Sequence, residues 1–193
     1  GAGTAPQKAS IDRFREAGHE NVPVNDIWAQ LIPASPDMII ELLKRHGTMS
    51  FNQLSAYAIT LAREGFPVHH MMLNNLGLNF VERFGFNLLM PYNVEVYLDG
   101  QWWRPLHHRE RFTRPDLAAT LQSMADTEKL VVEKTRNRKA GLQAVRDYFY
   151  DGSIADTIVQ FHREEGGLFT RDDLSGYKGY WEKPLTGTYR NYT

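Results

Sequence analysis

Seven histidines, scattered carboxylates and hydroxyls, and no cysteine are the chain's stock of reactive side chains. Two adjacent pairs, His69-His70 and His107-His108, invite a metal reading. Neighbouring residues on a helix point about 100° apart, so such a pair does not readily chelate one ion. No HExxH or similar ligand spacing accompanies them. Surface or hydrogen-bonded histidines are the expectation, and no metal. His162 and Glu165 stand three apart, a spacing that could orient an imidazole as a base; a solvated helix face is the simpler reading. Asp172-Asp173 could divide acid and base work between two carboxylates. Asp173 also falls three residues after Thr170, which fits the acidic member of a capping box. Gly166-Gly167 precedes no G-K-[ST], so it reads as a helix stop and turn, not a phosphate loop. Trp102-Trp103 offers a surface for a sugar or a partner, with one ring on the core and the other exposed. Serine, histidine and aspartate occur, but no spacing unites them as a triad. The lack of cysteine excludes a thiolate nucleophile, thiolate zinc sites and disulfides.

The elements that would position these residues are mostly capped helices. Ser10 to Ala17 predicts a short helix stopped by Gly18, and a turn is expected around Trp28. Ser35-Pro36-Asp37 opens a helix with Ser35 as cap, with Met38, Ile39, Leu42 and Leu43 at helical spacing and a stop at Gly47. Ser50 to Gln53 is a capping box, followed by Leu54, Ala58, Leu61 and Ala62 up to Gly65. Residues 68–84 are a weaker helical stretch. In 92–104 the period changes: Val94, Val96 and Leu98 alternate with polar neighbours, and Asp99-Gly100 predicts a β-hairpin turn. A helix starts between Thr113 and Asp116, and a long charged helix is expected from about 126 to 150. Ser153/Asp156 and Thr170/Asp173 both predict capping boxes. Thr186, Thr188, Arg190 and Tyr192 alternate again, as the start of a C-terminal strand. The expected fold class is mainly α, with a small β-hairpin and that strand.

Apolar residues make up 42% and charged residues 23%, a globular balance in one region of 193 residues. A formal charge of −1 argues against a nucleic-acid partner, whose footprint would be basic. No apolar run reaches membrane-spanning length, so no membrane span is expected. The opening residues lack the pattern of a signal peptide.

The last fifth carries the most specific pattern: Phe149-Tyr150-Asp151-Gly152-Ser153-Ile154-Ala155-Asp156, then Glu165-Gly166-Gly167-Leu168-Phe169-Thr170-Arg171-Asp172-Asp173-Leu174, then Tyr177, Trp181, Pro184 and Tyr189. That order resembles the end of the large subunit of γ-glutamyltransferases, which are N-terminal-nucleophile hydrolases. Four earlier blocks are similar to the family's in the same order. They are Thr4-Ala5-Pro6 with Ala9-Ser10; Ile40 to Gly47 with Ser50 and Phe51; Ala62 to Val68; and Arg114-Pro115-Asp116-Leu117-Ala118 with Thr120-Leu121.

The resemblance implies an αββα sandwich, of which this chain holds only an edge. It implies a precursor that cleaves itself before a threonine, whose hydroxyl then attacks an amide while its own amine acts as base. None of the nucleophile's motifs occurs here, and Thr193 is not read as the nucleophile. The chain is then the C-terminal portion of the large subunit. Its implied partners are the small catalytic subunit of the same precursor and a γ-glutamyl or other amide substrate, with no cofactor. No catalytic residue is assigned, and Thr4, Ala5 and Pro6 are expected near the substrate pocket. Two departures bear on this. The family's R-E-x-A-P arginine, which holds the glutamyl α-carboxylate, is replaced by Ala2, with Gly3 after it. A charged stretch at 126–147 reads as a surface insertion. A non-glutamyl acylase or amidase of the family and a non-catalytic helical interaction module therefore stay open as alternatives.

Overall fold

The computed structural model describes residues 3–24 and 26–190. These fall into two compact units, one formed by the chain up to Phe51 together with that from Thr127 onward, the other by Asn52–Asp126. In order the elements are α1 (Ile11–Glu16), a 3₁₀ turn (Ile27–Ala29), α2 (Ser35–His46), α3 (Phe51–Glu64), β1 (Phe66–Pro67), α4 (His70–Leu76), α5 (Phe80–Leu89), α6 (Pro91–Leu98), β2 (Arg111–Phe112), α7 (Pro115–Thr135), α8 (Arg138–Tyr150), α9 (Ser153–Glu164) and α10 (Arg171–Ser175). The molecule is mainly α, as expected.

In the first unit α8 packs on α2 and α9, and α10 closes on both α8 and α9. Its core joins Ile32, Tyr150, Ala155, Phe169 and Leu174. Ser10 caps α1, accepting from the Arg13 amide. Ser35 does not cap α2: the cap position is Ala34, with no side-chain bond, and the buried stripe is Asp37, Ile40 and Leu43. Met38, Ile39 and Leu42, expected to face the core, are exposed. The expected box at Ser153 is also absent, because Gly152 holds the cap position of α9. Thr170 and Asp173 do form theirs.

The single charged helix expected at 126–150 is two. Arg136 adopts a left-handed conformation (φ 54°) and Asn137 caps α8. Glu133, Lys134, Arg136 and Lys139 face solvent, as a surface stretch should, but Leu142 and Val145 are fully buried. Residues 126–147 thus supply core as well as surface.

In the second unit the predicted hairpin at 92–104 is replaced by α6. Val94 and Leu98, which fit an alternating strand, are also four apart, and they are the two buried residues of this helix. Pro91 starts it, and Asp99 ends it as a left-handed cap (φ 52°) before Gly100. The dipeptide that reads as a hairpin turn is a helix stop. The only sheet among the described residues is elsewhere, an antiparallel pair with Phe66 opposite Phe112 and Pro67 opposite Arg111. The 68–84 stretch breaks into α4 and α5 on either side of Gly77–Asn79. Arg83, buried on α5, donates to the carbonyls of Leu78, Trp102 and Trp103 and so ties that loop down.

Gly65 ends α3 with φ +82°, and a Cβ there would stand 2.7 Å from Arg111 Cγ and Thr113 Cγ2 and 2.8 Å from the Phe112 carbonyl. Gly65→Ala is expected to cost about 2 kcal/mol from the backbone conformation alone, and more from the contacts. Hydrogen exchange at Val68, whose amide donates to Glu110, is the check; unchanged protection would contradict it.

After Tyr177 no helix or named strand forms among the described residues, and Tyr180, Leu185 and Tyr189 are exposed. Among the described residues the alternation at 186–190 yields one bridge residue, Tyr189, and no named strand, and Tyr192 lies outside them. Trp181 rests at the C-terminal end of α2, with the Arg45 guanidinium 4.5 Å and the His46 ring 5.4 Å from its ring.

Candidate functional site

The residues of the C-terminal pattern converge on the chain's first segment. Thr4 and Ile32 form an isolated antiparallel bridge, with the Ile32 amide donating to the Thr4 carbonyl at 2.8 Å. Thr4 and Ala5 are exposed and Pro6 is buried. The next amide, Gln7, donates to Asp173 Oδ1 at 2.8 Å. The other oxygen of Asp173 accepts from the Thr170 amide (2.8 Å) and hydroxyl (2.6 Å). The acidic member of the α10 capping box is therefore also the anchor of the N-terminal segment, across 166 positions of sequence. Arg171 ties α10 to the junction of α8 and α9, with ion pairs to Asp151 (3.0 Å) and Asp156 (2.6 Å) and a bond to the Gly152 carbonyl (3.0 Å). Asp156, expected to cap α9, serves this arginine instead. Asp172 is exposed and takes no part in a carboxylate pair with Asp173.

His162 is buried rather than solvated, at 1% exposure. Its ring stacks on Phe169 at 3.8 Å between centroids. Nδ1 accepts from the Phe169 amide (3.5 Å), which leaves the proton on Nε2, and Nε2–H donates to Gln30 Oε1 (3.1 Å). Burial lowers its pKa below the ordinary 6.5, so the folded protein holds it neutral. The unfolded chain therefore takes up a proton below about pH 6.5, before the folded one does. Stability contributed by this group is present above that pH and is lost as pH falls toward the lowered folded value. His162→Gln should flatten that part of the stability–pH curve in the full-length protein; an unchanged slope between pH 7 and 5 would contradict the assignment.

Beneath this segment lies a buried ion pair. Asp37 and Arg146 side chains are 3% and 10% exposed and bonded through Oδ1 and Nε. Asp37 Oδ2 accepts from the Gly179 amide at 2.9 Å, and Arg146 donates to the Tyr177 carbonyl. The guanidinium carbon is 4.9 Å from the Tyr150 ring centroid, and Tyr150 stacks on Tyr177. Tyr150 donates its hydroxyl to the Pro33 carbonyl and accepts from the Asp37 amide. Burial of that hydroxyl pushes the tyrosine pKa well up. None of these pairings is signalled by spacing, since partners stand 109 and 142 positions apart.

Among the described residues no buried side-chain nitrogen or oxygen lacks a partner, and no three histidines or carboxylates are arranged to hold a metal ion. His69 caps α4 through Nδ1, and His70 stacks on His108 at 4.2 Å. Parallel stacked rings do not aim two lone pairs at one ion. Trp102 packs against Phe80 and Phe84, and Trp103 is 57% exposed. Ala2 and Thr193 lie outside the described residues. The side chains of the C-terminal pattern thus hold backbone segments together, and Thr4 and Ala5 are exposed beside them.

A family model, gamma-glutamyltranspeptidase, matches residues 1–193. The chain belongs to the gamma-glutamyltranspeptidase family. The glutathione hydrolase proenzyme of Escherichia coli (strain K12) is 26% identical over 191 residues, which is 97% of this chain and 29% of that protein. Two solved structures share the fold. The gamma-glutamyltranspeptidase of Helicobacter pylori has a TM-score of 0.76 at 24% identity, over 98% of this chain and 49% of that one. The cephalosporin acylase of Bacillus halodurans has a TM-score of 0.77 at 22% identity, over 98% and 32%. The chain therefore spans about a third or less of the curated relatives it matches. No helix among the described residues is long and apolar enough to cross a membrane.

Proposed function

We propose that this chain is the C-terminal portion of the large subunit of a γ-glutamyltransferase-like enzyme. The observation that carries the reading is the match of the family model along all 193 residues. The co-linear order of the five sequence blocks agrees with it. The nucleophile is a threonine outside this chain, freed at the N-terminus of a small subunit by self-cleavage. Its hydroxyl oxygen attacks the amide carbonyl carbon while its α-amine takes the proton. The C–N bond breaks, the leaving amine takes that proton, and an ester remains. Water or a second amine then attacks the ester and restores the hydroxyl.

This chain supplies scaffold to that reaction. The αββα sandwich is completed by the rest of the precursor, and Thr4-Ala5-Pro6 border the substrate pocket, fixed there by Ile32 and Asp173. Support for that placement is the anchoring itself: exposed Thr4 and Ala5 sit between a backbone bridge and a buried carboxylate. No membrane span or cofactor enters the scheme.

A second reading has one observation in its favour. Ala2 and Gly3 stand where the family's glutathione-binding members carry arginine and glutamate, so the glutamyl carboxylate loses its planar cationic partner. An acylase acting on a non-glutamyl amide fits that change. A γ-glutamyl anilide and a plain acyl anilide, offered to the full-length processed protein, separate the two. Turnover of the first is expected; turnover of the second alone assigns the acylase, and turnover of neither removes both.

A further inference from the structure

The scheme above leaves unused a cleft bordered by the loop after Pro6, α1, α9 and the start of α10. It is open and about 380 Å³ in volume, and Lys8, Arg13, Arg163 and Arg171 all line it. No aspartate or glutamate is among its lining residues. Arg171 is committed to Asp151 and Asp156. The Arg13 guanidinium carbon lies 5.6 Å from the Trp28 ring centroid, and Arg13 makes no ion pair among the described residues. The side chains of Lys8 and Arg163 have no ion pair or hydrogen bond among the described residues.

Composition does not impose such a grouping, because the chain as a whole is at −1. Like charges around one cleft repel, and an anion between them turns that repulsion into attraction. The other polar groups of the wall are occupied: the Thr170 hydroxyl donates to Asp173, and neutral His162 accepts at Nδ1 from Phe169. The charged side chains left to a ligand are all cationic donors, beside the apolar side chains of Val159 and Phe169. A cleft whose charged side chains are all cationic suits an oxyanion and disfavours a cation.

We propose that this cleft binds a small multivalent oxyanion, a di- or tricarboxylate or a phosphate, held by Lys8, Arg13 and Arg163. The site does not depend on the hydrolase reading, since a protein with no amidase activity would still bind the anion. The test is calorimetric titration of the full-length protein, separately, with inorganic pyrophosphate and with propane-1,2,3-tricarboxylate. At least one probe is expected to bind once per chain with a Kd below about 1 mM in low salt. Binding should weaken roughly tenfold between about 20 and 300 mM NaCl. Lys8→Gln/Arg163→Gln should weaken it at least about tenfold at low salt. Lys178→Gln/Lys183→Gln, exposed lysines outside the cleft, should leave it unchanged. Binding of the tricarboxylate alone assigns a carboxylate ligand, and binding of pyrophosphate alone a phosphate one. Absence of binding by both probes, no loss in the first double variant, or equal loss in both double variants overturns the proposal.

Discussion

Replacing Arg146 by methionine is expected to remove about 3–5 kcal/mol of local stability, with hydrogen-exchange protection of α2 and α8 falling accordingly in the full-length protein. The reason is what the substitution leaves behind. Asp37 would remain buried at 3% side-chain exposure, with one carboxylate oxygen deprived of its guanidinium and the other bonded only to the Gly179 amide. The Tyr177 carbonyl would lose its donor as well. Asp37→Leu alone should cost a similar amount, because it strands the arginine instead. The double variant Asp37→Leu/Arg146→Met should recover most of the loss, since no uncompensated charge then remains. Unchanged protection in either single variant would show that the pair does not hold this region. The consequence for function is positional. Asp37 and Arg146 grip Tyr177 and Gly179, and so fix the start of the segment after α10 against α2 and α8. Under the proposed function, the single variants should also process more slowly.

Gly167→Ala is the second large expected effect, about 3 kcal/mol of local destabilisation around α9. A Cβ at this position would overlap the His162 ring, with Cγ at 2.8 Å and the Ile27 Cδ1 at 2.9 Å. The ring has nowhere to go. It is stacked on Phe169 and tied at both nitrogens, to Phe169 and to Gln30. His162→Ala also destabilises, through the lost stack and the freed amide of Phe169. It makes room for the alanine, however, so the double variant should be less damaged than the sum of the two. Exchange protection of α9 in the two single variants and the double gives that coupling directly. Strict additivity would mean that Gly167 is not needed for close approach to the histidine.

Legibility in the sequence was uneven along this chain, for physical reasons. Local rules held where one short segment settles its own structure. Ser10 and Thr170 cap the helices they precede, and the turn at Trp28 forms. They failed where one pattern serves two geometries. Val94 and Leu98 satisfy an alternating strand and a helical face together, and Asp99-Gly100 can turn a hairpin or stop a helix. At Arg136 a left-handed residue splits a helix that charge patterning reads as continuous. The site itself was legible as a family pattern but not as a set of contacts. Asp37 reads as a first-turn acid and Arg146 as one more charge, and nothing local says that they meet. His162, three residues before Glu165, reads as part of a solvated helix face; only the fold shows that Gly167 makes room for its ring.

The central claim is that this chain belongs to a precursor that cuts itself to expose a threonine. Denaturing mass spectrometry of the protein expressed from its complete reading frame tests it most directly. Two chains are expected, the smaller beginning with threonine and the larger containing this 193-residue sequence. A single unprocessed chain at full mass, in a preparation that is folded, would contradict it and move the non-catalytic interaction module ahead.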